Sequence, residues 1–164
     1  MKEDTSREVE RQPPEALHDE KTSRKIPAAV IAHRNIVLLD GVCTLCSCTL
    51  RFIARNDVNH LYKFAWVQSE VGREILRWCD LPDDRFDTMV AVEAGKAYRK
   101  STAFLRVTRN LRFPWMLLSL GFLVPLSLRD ALYDWLAMRR YRLFGRTKQC
   151  SLPDARLRDR FLHD

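Results

Sequence analysis

The run Ile36-Val37-Leu38-Leu39 ends at Asp40-Gly41, and a segment with helical spacing starts two residues later. A short apolar run bounded by polar residues and a glycine suits a buried central strand. From Cys43 to about Asn56 the apolar positions Cys46, Leu50, Ile53 and Ala54 recur at helical intervals, while Arg51 and Arg55 can face water. The chain therefore passes from a buried strand straight into a helix across two cysteines.

The segments that follow extend this pattern. Leu61 to Val67 reads as a second strand and Gln68 to Cys79 as a second helix, before Leu81-Pro82-Asp83-Asp84 breaks the periodicity. Thr88 to Glu93 is rich in strand formers, and Ala94-Gly95 gives a tight turn into Lys96 to Arg99, which predicts a hairpin. Ser101 is expected to cap a helix reaching about Asn110. Strand, helix, strand, helix, hairpin, helix is the order of an α/β, thioredoxin-like mixed sheet flanked by helices. Residues 113 to 138 add an apolar helical region interrupted by Gly121 and Pro125, so an additional C-terminal helical region is expected.

Residues 1 to 30 mix both signs of charge with Pro13, Pro14 and Pro27 and lack core periodicity. They are read as a flexible tail, and residues 31–164 as one domain, which a chain of 164 residues can supply with a real core. Glu3 and Asp4 argue against a mitochondrial presequence, and no apolar signal core opens the chain. Five cysteines, an odd number, do not suit a fully paired secreted framework, so a reducing, cytoplasmic setting is expected.

In such a setting spacing matters more than number. A CxxC at a strand-to-helix junction brings its first thiol to the free amides and positive dipole end of the helix, which favours thiolate. Cys43 is accordingly the expected attacking residue. Cys46, one helical turn on, can resolve a mixed disulfide from within the molecule. Asp40 either orients the turn and takes a proton during resolution, or simply stabilises the turn while Gly41 supplies conformational freedom. Cys48 projects to another side of the helix and is assigned a packing role, while Cys79 and Cys150 are read as core or surface thiols. Because those last two, His33, His60 and His163 are dispersed, no zinc site is expected, and no cofactor is called for.

Asp40-Gly41-Val42-Cys43-Thr44-Leu45-Cys46 resembles the DxxCxxC signature of the DCC family of thiol-disulfide oxidoreductases. Phe64-Ala65-Trp66-Val67-Gln68-Ser69, Leu128-Arg129-Asp130-Ala131-Leu132-Tyr133 and Arg140-Tyr141-Arg142-Leu143-Phe144-Gly145, followed by Cys150-Ser151-Leu152-Pro153, are similar to later segments of that family. The resemblance covers about residues 35 to 162. It implies a thioredoxin-like fold, redox roles for Cys43 and Cys46, and importance for Asp40. One departure from thioredoxins at large is that Phe86-Asp87-Thr88-Met89 holds no proline where they place a substrate-binding cis-proline.

The formal charge of +7 is concentrated late in the chain: from Arg99 to Lys148 eleven basic residues face only Asp130 and Asp134. No nucleic-acid motif accompanies Arg139, Arg140, Tyr141, Arg142, Phe144, Arg146 and Lys148, so a solvated helix face is expected there. Residues Phe113 to Leu126 are shorter than a bilayer span and are expected to pack on the sheet, with peripheral membrane contact as the secondary expectation. The partners implied are a disulfide- or thiol-bearing substrate and an external electron donor or acceptor. The function expected is thiol-disulfide exchange; its competitor is a noncatalytic redox-sensing adaptor that binds a partner or membrane through its basic C-terminal half.

Overall fold

The computed structural model describes residues 26–81, 88–145 and 155–162. Helix α1 (Ala28–Ala32) leads into β1 (Asn35–Leu39), α2 (Thr44–Asn56), β2 (Lys63–Trp66) and α3 (Glu70–Trp78). The hairpin strands β3 (Val90–Glu93) and β4 (Lys96–Arg99) precede α4 (Lys100–Arg109), a 3-10 segment (Trp115–Leu123), α5 (Leu126–Phe144) and α6 (Ala155–Arg158). The sheet order is β2-β1-β3-β4, with β1 parallel to β2 and antiparallel to β3, and β3 antiparallel to β4. This is the mixed α/β sheet that the element order predicts.

The apolar run of β1 is continuous because both of its faces are covered. Val37 and Leu39 point into one core with Leu50 and Ile53 of α2, Phe64 of β2, and Ala103 and Val107 of α4. Ile36 and Leu38 point into the other with Ile75, Leu76 and Trp78 of α3 and Val90 and Val92 of β3. Period-two alternation thus assigns successive residues of one strand to two different cores.

Local chemistry fixes the element ends. Ser69 caps α3 by accepting the Gly72 amide at 3.0 Å, and any Cβ at Gly72 would lie 2.0 Å from the Trp66 carbonyl oxygen, so α3 meets the end of β2 at backbone contact. Ala94 and Gly95 turn the hairpin with φ of 49° and 77°. Ser101 does not cap α4. The helix begins one residue earlier, its first amide is accepted by Thr88 Oγ1 at 3.2 Å, and the Ser101 hydroxyl is committed to Asp130. At the other end of the described chain, Val30 of α1 is buried in the second core, so the domain takes in residues assigned by sequence to a tail that ended at 30.

The outer edge of β2 is closed by the C-terminal end of the described chain. The Phe64 amide donates to the Arg160 carbonyl at 2.8 Å, and the Leu162 amide donates to the Phe64 carbonyl at 2.8 Å. The Arg160 guanidinium is buried against the Asp57 carboxylate and also donates to the carbonyls of Ala54 and Tyr62. Asp57 accepts the Leu61 and Tyr62 amides as well, so one ion pair ties the α2–β2 turn to the closing segment. Arg160→Met leaves a buried carboxylate without its cation and is expected to cost about 3–5 kcal/mol. The check is the urea midpoint: a loss under about 1 kcal/mol would show that the pair does not anchor the sheet edge, and Asp57→Asn combined with Arg160→Met should recover part of the loss.

Candidate active site

The site grows out of the junction between β1 and α2. Strand β1 ends at Leu39, residues 40–43 turn, and Cys43 becomes the N-cap of α2 with its Sγ accepting the Cys46 amide at 3.4 Å. That position lets a sulfur do what a capping oxygen does, and it places the thiol at the positive end of a 13-residue helix. Cys43 and Cys46 are both free thiols; Cys43 is buried and Cys46 half-buried.

The Asp40 carboxylate is 4 % exposed and meets four donors. Its Oδ1 accepts the Val42 amide at 3.0 Å and the Gln68 Nε2 at 2.8 Å. Its Oδ2 accepts the Tyr141 hydroxyl at 2.6 Å and Arg140 Nη2 at 3.3 Å. A carboxylate has about four lone-pair sites, so the set is filled. Gln68 completes the clamp by accepting the Gly41 amide at 3.1 Å. Burial and the Asp40 carboxylate both raise the Tyr141 phenol, which keeps it protonated as a donor.

Charge at the sulfurs follows from this frame. The hydrogen bond from the Cys46 thiol lowers the Cys43 thiol to about 6, helped by the Cys46 amide and the Arg140 guanidinium and opposed by burial and the Asp40 charge. The same thiol-to-thiolate bond, with burial, holds Cys46 far above the ordinary range. The two sulfurs therefore differ strongly in ionisation, as an attacking and a resolving thiol must.

Beside Cys46 a cavity of about 240 Å³ opens between α2, α4 and α5. Leu39, Leu45, Met89, Phe104 and Leu136 make it chiefly apolar, and Thr49, Thr88 and Tyr133 add hydroxyls. The Met89 amide donates to the Tyr133 hydroxyl at 2.8 Å, and the Met89 carbonyl accepts the Lys100 amide at 3.2 Å. Met89 stands where the sequence lacks the thioredoxin proline, and here its backbone is already bonded within the molecule. Next to Cys43, Thr44 Oγ1 donates to the Gly145 carbonyl at 3.2 Å, joining the start of α2 to the residue after α5.

Cys43, Cys46 and Asp40 thus come together as the spacing predicts. Arg140, Tyr141 and Gln68 were not singled out as site residues. Arg140 and Tyr141 fell in a segment expected to be a solvated face, but α5 turns them inward, and Arg140 is only 4 % exposed. Their signal was an Arg-Tyr pair three residues beyond Ala137 on a helix whose apolar residues do not fall on one side, a pattern that marks polar packing only once the partner carboxylate is known. Cys48 is exposed rather than packed, Cys79 lies in the second core, and Cys150 falls outside the described residues. Among the described residues no three His, Cys, Asp or Glu side chains are grouped to share a metal ion.

A family profile described as DCC1-like thiol-disulfide oxidoreductase matches residues 37–146. The chain is similar to the uncharacterized protein YuxK of Bacillus subtilis (strain 168), with 43 % identity over 141 residues, covering 86 % of this chain and 98 % of that one. It is also similar to a chloroplastic DCC family protein of Arabidopsis thaliana, with 38 % identity over 121 residues, covering 73 % of this chain and 70 % of the plant protein. No solved structure gives a significant match.

Thiolate formation at Cys43, followed by ultraviolet absorbance or by the pH dependence of alkylation, is expected to have its midpoint near 6. Arg140→Met should move that midpoint upward, because its guanidinium lowers the Cys43 thiol. The lowered value also stabilises the reduced fold. That contribution is complete at or above the ordinary thiol value of 9.0 and disappears as pH falls through about 6. The difference in urea stability between the reduced wild type and Cys43→Ser should therefore grow across that interval; a flat difference would contradict the assignment.

Proposed function

The chain belongs to the DCC1-like thiol-disulfide oxidoreductase family, and from that premise we propose that it catalyses dithiol–disulfide exchange with Cys43 as nucleophile and Cys46 as resolving thiol. The observation that carries this reading is the asymmetry of the pair: Cys43 is capped by the helix and lowered to about 6, while Cys46 is kept protonated beside it.

The Cys43 thiolate attacks one sulfur of a substrate disulfide, forming a mixed disulfide and expelling the other substrate sulfur as a thiolate. Cys46 then gives up its proton, which in net passes to the departed thiolate, and attacks the Cys43 sulfur. The second substrate sulfur leaves, and the Cys43–Cys46 disulfide holds the two electrons' worth of oxidation. An external dithiol returns the pair to its starting state, or, in the opposite direction, an external disulfide recharges it. Attack on a substrate requires a local opening at the start of α2, since Cys43 has no exposed surface.

Asp40 enters this scheme as a positioning residue. With its lone pairs occupied by four donors it has no vacancy for the Cys46 proton, and its work is to hold Arg140 beside the sulfurs. A thiolate formed at about 6 favours the reduced pair at pH 7 by about 1.4 kcal/mol, or about 30 mV, making the disulfide correspondingly more oxidising than one between ordinary thiols. The closed backbone of Met89 and the apolar cavity favour a substrate that presents an apolar group beside its disulfide over one that pairs as an extended strand.

Incubation of the reduced protein with oxidised glutathione and with an aromatic disulfide tests the reading. Wild type should reduce both, with the aromatic compound preferred, and form an intramolecular Cys43–Cys46 disulfide found by mass spectrometry. Cys46→Ser should stop at a mixed disulfide on Cys43, and Cys43→Ser should abolish turnover. Asp40→Asn should leave resolution able to proceed; accumulation of mixed disulfide in that variant would make Asp40 the proton acceptor instead. Absence of turnover together with alkylation of exposed Cys48 ahead of Cys43 would overturn the enzyme reading.

A further inference from the structure

Helix α5 has apolar residues on more than one side, with Leu136 and Ala137 lining the cavity beside Cys46. Many of its inward contacts are nevertheless polar: Asp130 accepts the Ser101 hydroxyl, Asp134 accepts the Lys100 ammonium at 2.8 Å, Arg129 donates to Thr102 Oγ1 at 3.1 Å, and Arg140 and Tyr141 reach Asp40. Its outward side repeats every three or four residues as Leu128, Leu132, Trp135 and Met138, with exposures of 63, 66, 47 and 75 %. The 3-10 segment that runs into α5 through Val124 and Pro125 continues the pattern, with Leu120 exposed and Leu123 exposed to 84 %. The sequence favoured packing of this region on the sheet; it does lie against α4, where Gly121 lets it approach Leu105, but much of its apolar surface remains outside. Single exposed leucines need no explanation, whereas a stripe of this length does.

Charge says what covers it. Arg109 and Arg112 at the end of α4, and Arg139 and Arg142 on the outward side of α5, are exposed beside the apolar residues, and Arg139 stacks over Trp135 at 4.7 Å. The two acids of the region, Asp130 and Asp134, are each already bonded, Asp130 to Ser101 and the partly exposed Asp134 to Lys100, so the exposed arginines outnumber them at this surface. A second copy would bring cationic rims together on chains that each carry +7. Residues 1–25 supply only Met1, Val9, Ala16 and Leu17 as apolar side chains besides two prolines, too few to cover the stripe.

We propose that the 3-10 segment and the outward face of α5 form an interfacial docking surface for an anionic lipid bilayer. Apolar side chains enter the headgroup boundary while arginines engage lipid phosphates, the combination that holds a helix in the plane of a membrane. Among the described residues no helix is long and apolar enough to cross one, so the contact is peripheral. The surface lies on the side of α5 opposite Arg140, and this inference stands whether or not the thiol pair turns over substrate.

The test uses the full chain with phosphatidylcholine vesicles, with and without phosphatidylglycerol, read by sedimentation and by tryptophan emission. The protein should bind the anionic vesicles, with a blue shift of emission, and on the order of tenfold more weakly to neutral ones. Leu128→Gln/Leu132→Gln/Met138→Gln should lose at least about tenfold in binding, and Arg139→Gln/Arg142→Gln should lose about tenfold along with most of the salt dependence. Circular dichroism and an unchanged Cys43 alkylation rate verify the fold of each variant, and Leu123→Gln alone serves if the triple variant unfolds. Absence of binding to anionic vesicles, or binding indifferent to the apolar substitutions, overturns the proposal. Self-association that the apolar substitutions abolish, without vesicle binding, overturns it in favour of a second copy.

Discussion

The carboxylate of Asp40 is the point at which separate parts of the molecule are made to agree. One oxygen holds the turn that follows β1 and the side chain of Gln68 at the entrance to α3; the other holds Tyr141 and Arg140 near the end of α5. Removing two charges from water is costly, and their attraction offsets that cost only when geometry and further hydrogen bonds are good. Here the further bonds come from a backbone amide, an amide side chain and a phenol. The network is therefore a positional constraint more than a source of stability: it ties the end of α5 to the turn after β1 and brings the Arg140 charge to the two sulfurs, where it adds to the larger effect of the Cys43–Cys46 contact.

Much of the sheet was legible in the sequence because its determinants are local. Ile36 to Leu39 had to be buried on both faces, Ala94-Gly95 had to turn, and the helical spacing of Leu50 and Ile53 named the residues that meet the strand. The dithiol was legible for the same reason, since a strand end, a turn and a helix cap all lie within seven residues. The start of α4 was misread because Ser101 is a good cap by type, yet its hydroxyl is drawn to Asp130, 29 residues away. A propensity that holds in isolation yields to a tertiary partner when the partner carries charge.

The rest was hidden by distance and by inversion. Arg140 and Asp40 are 100 residues apart and Arg160 and Asp57 are 103 apart, and no periodicity announces such pairs. Helix α5 was harder still, because the usual rule turns apolar residues inward. Here the inward side holds two acids, two arginines and two tyrosines, with partners on α4, on the approach to β3 and at Asp40, beside Leu136 and Ala137, so hydropathy along the helix marks no inward face.

The distance between Asp40 and Arg140 also has a consequence in time. Chains are made from the N-terminus, and Cys43 and Cys46 emerge long before residue 140 exists. Until α5 docks, the arginine's influence on Cys43 is absent, and its thiol lies closer to an ordinary one. The electrostatic setting of Cys43 is thus completed only with the last large helix, although its largest part, the contacts with Cys46, is local to the start of α2.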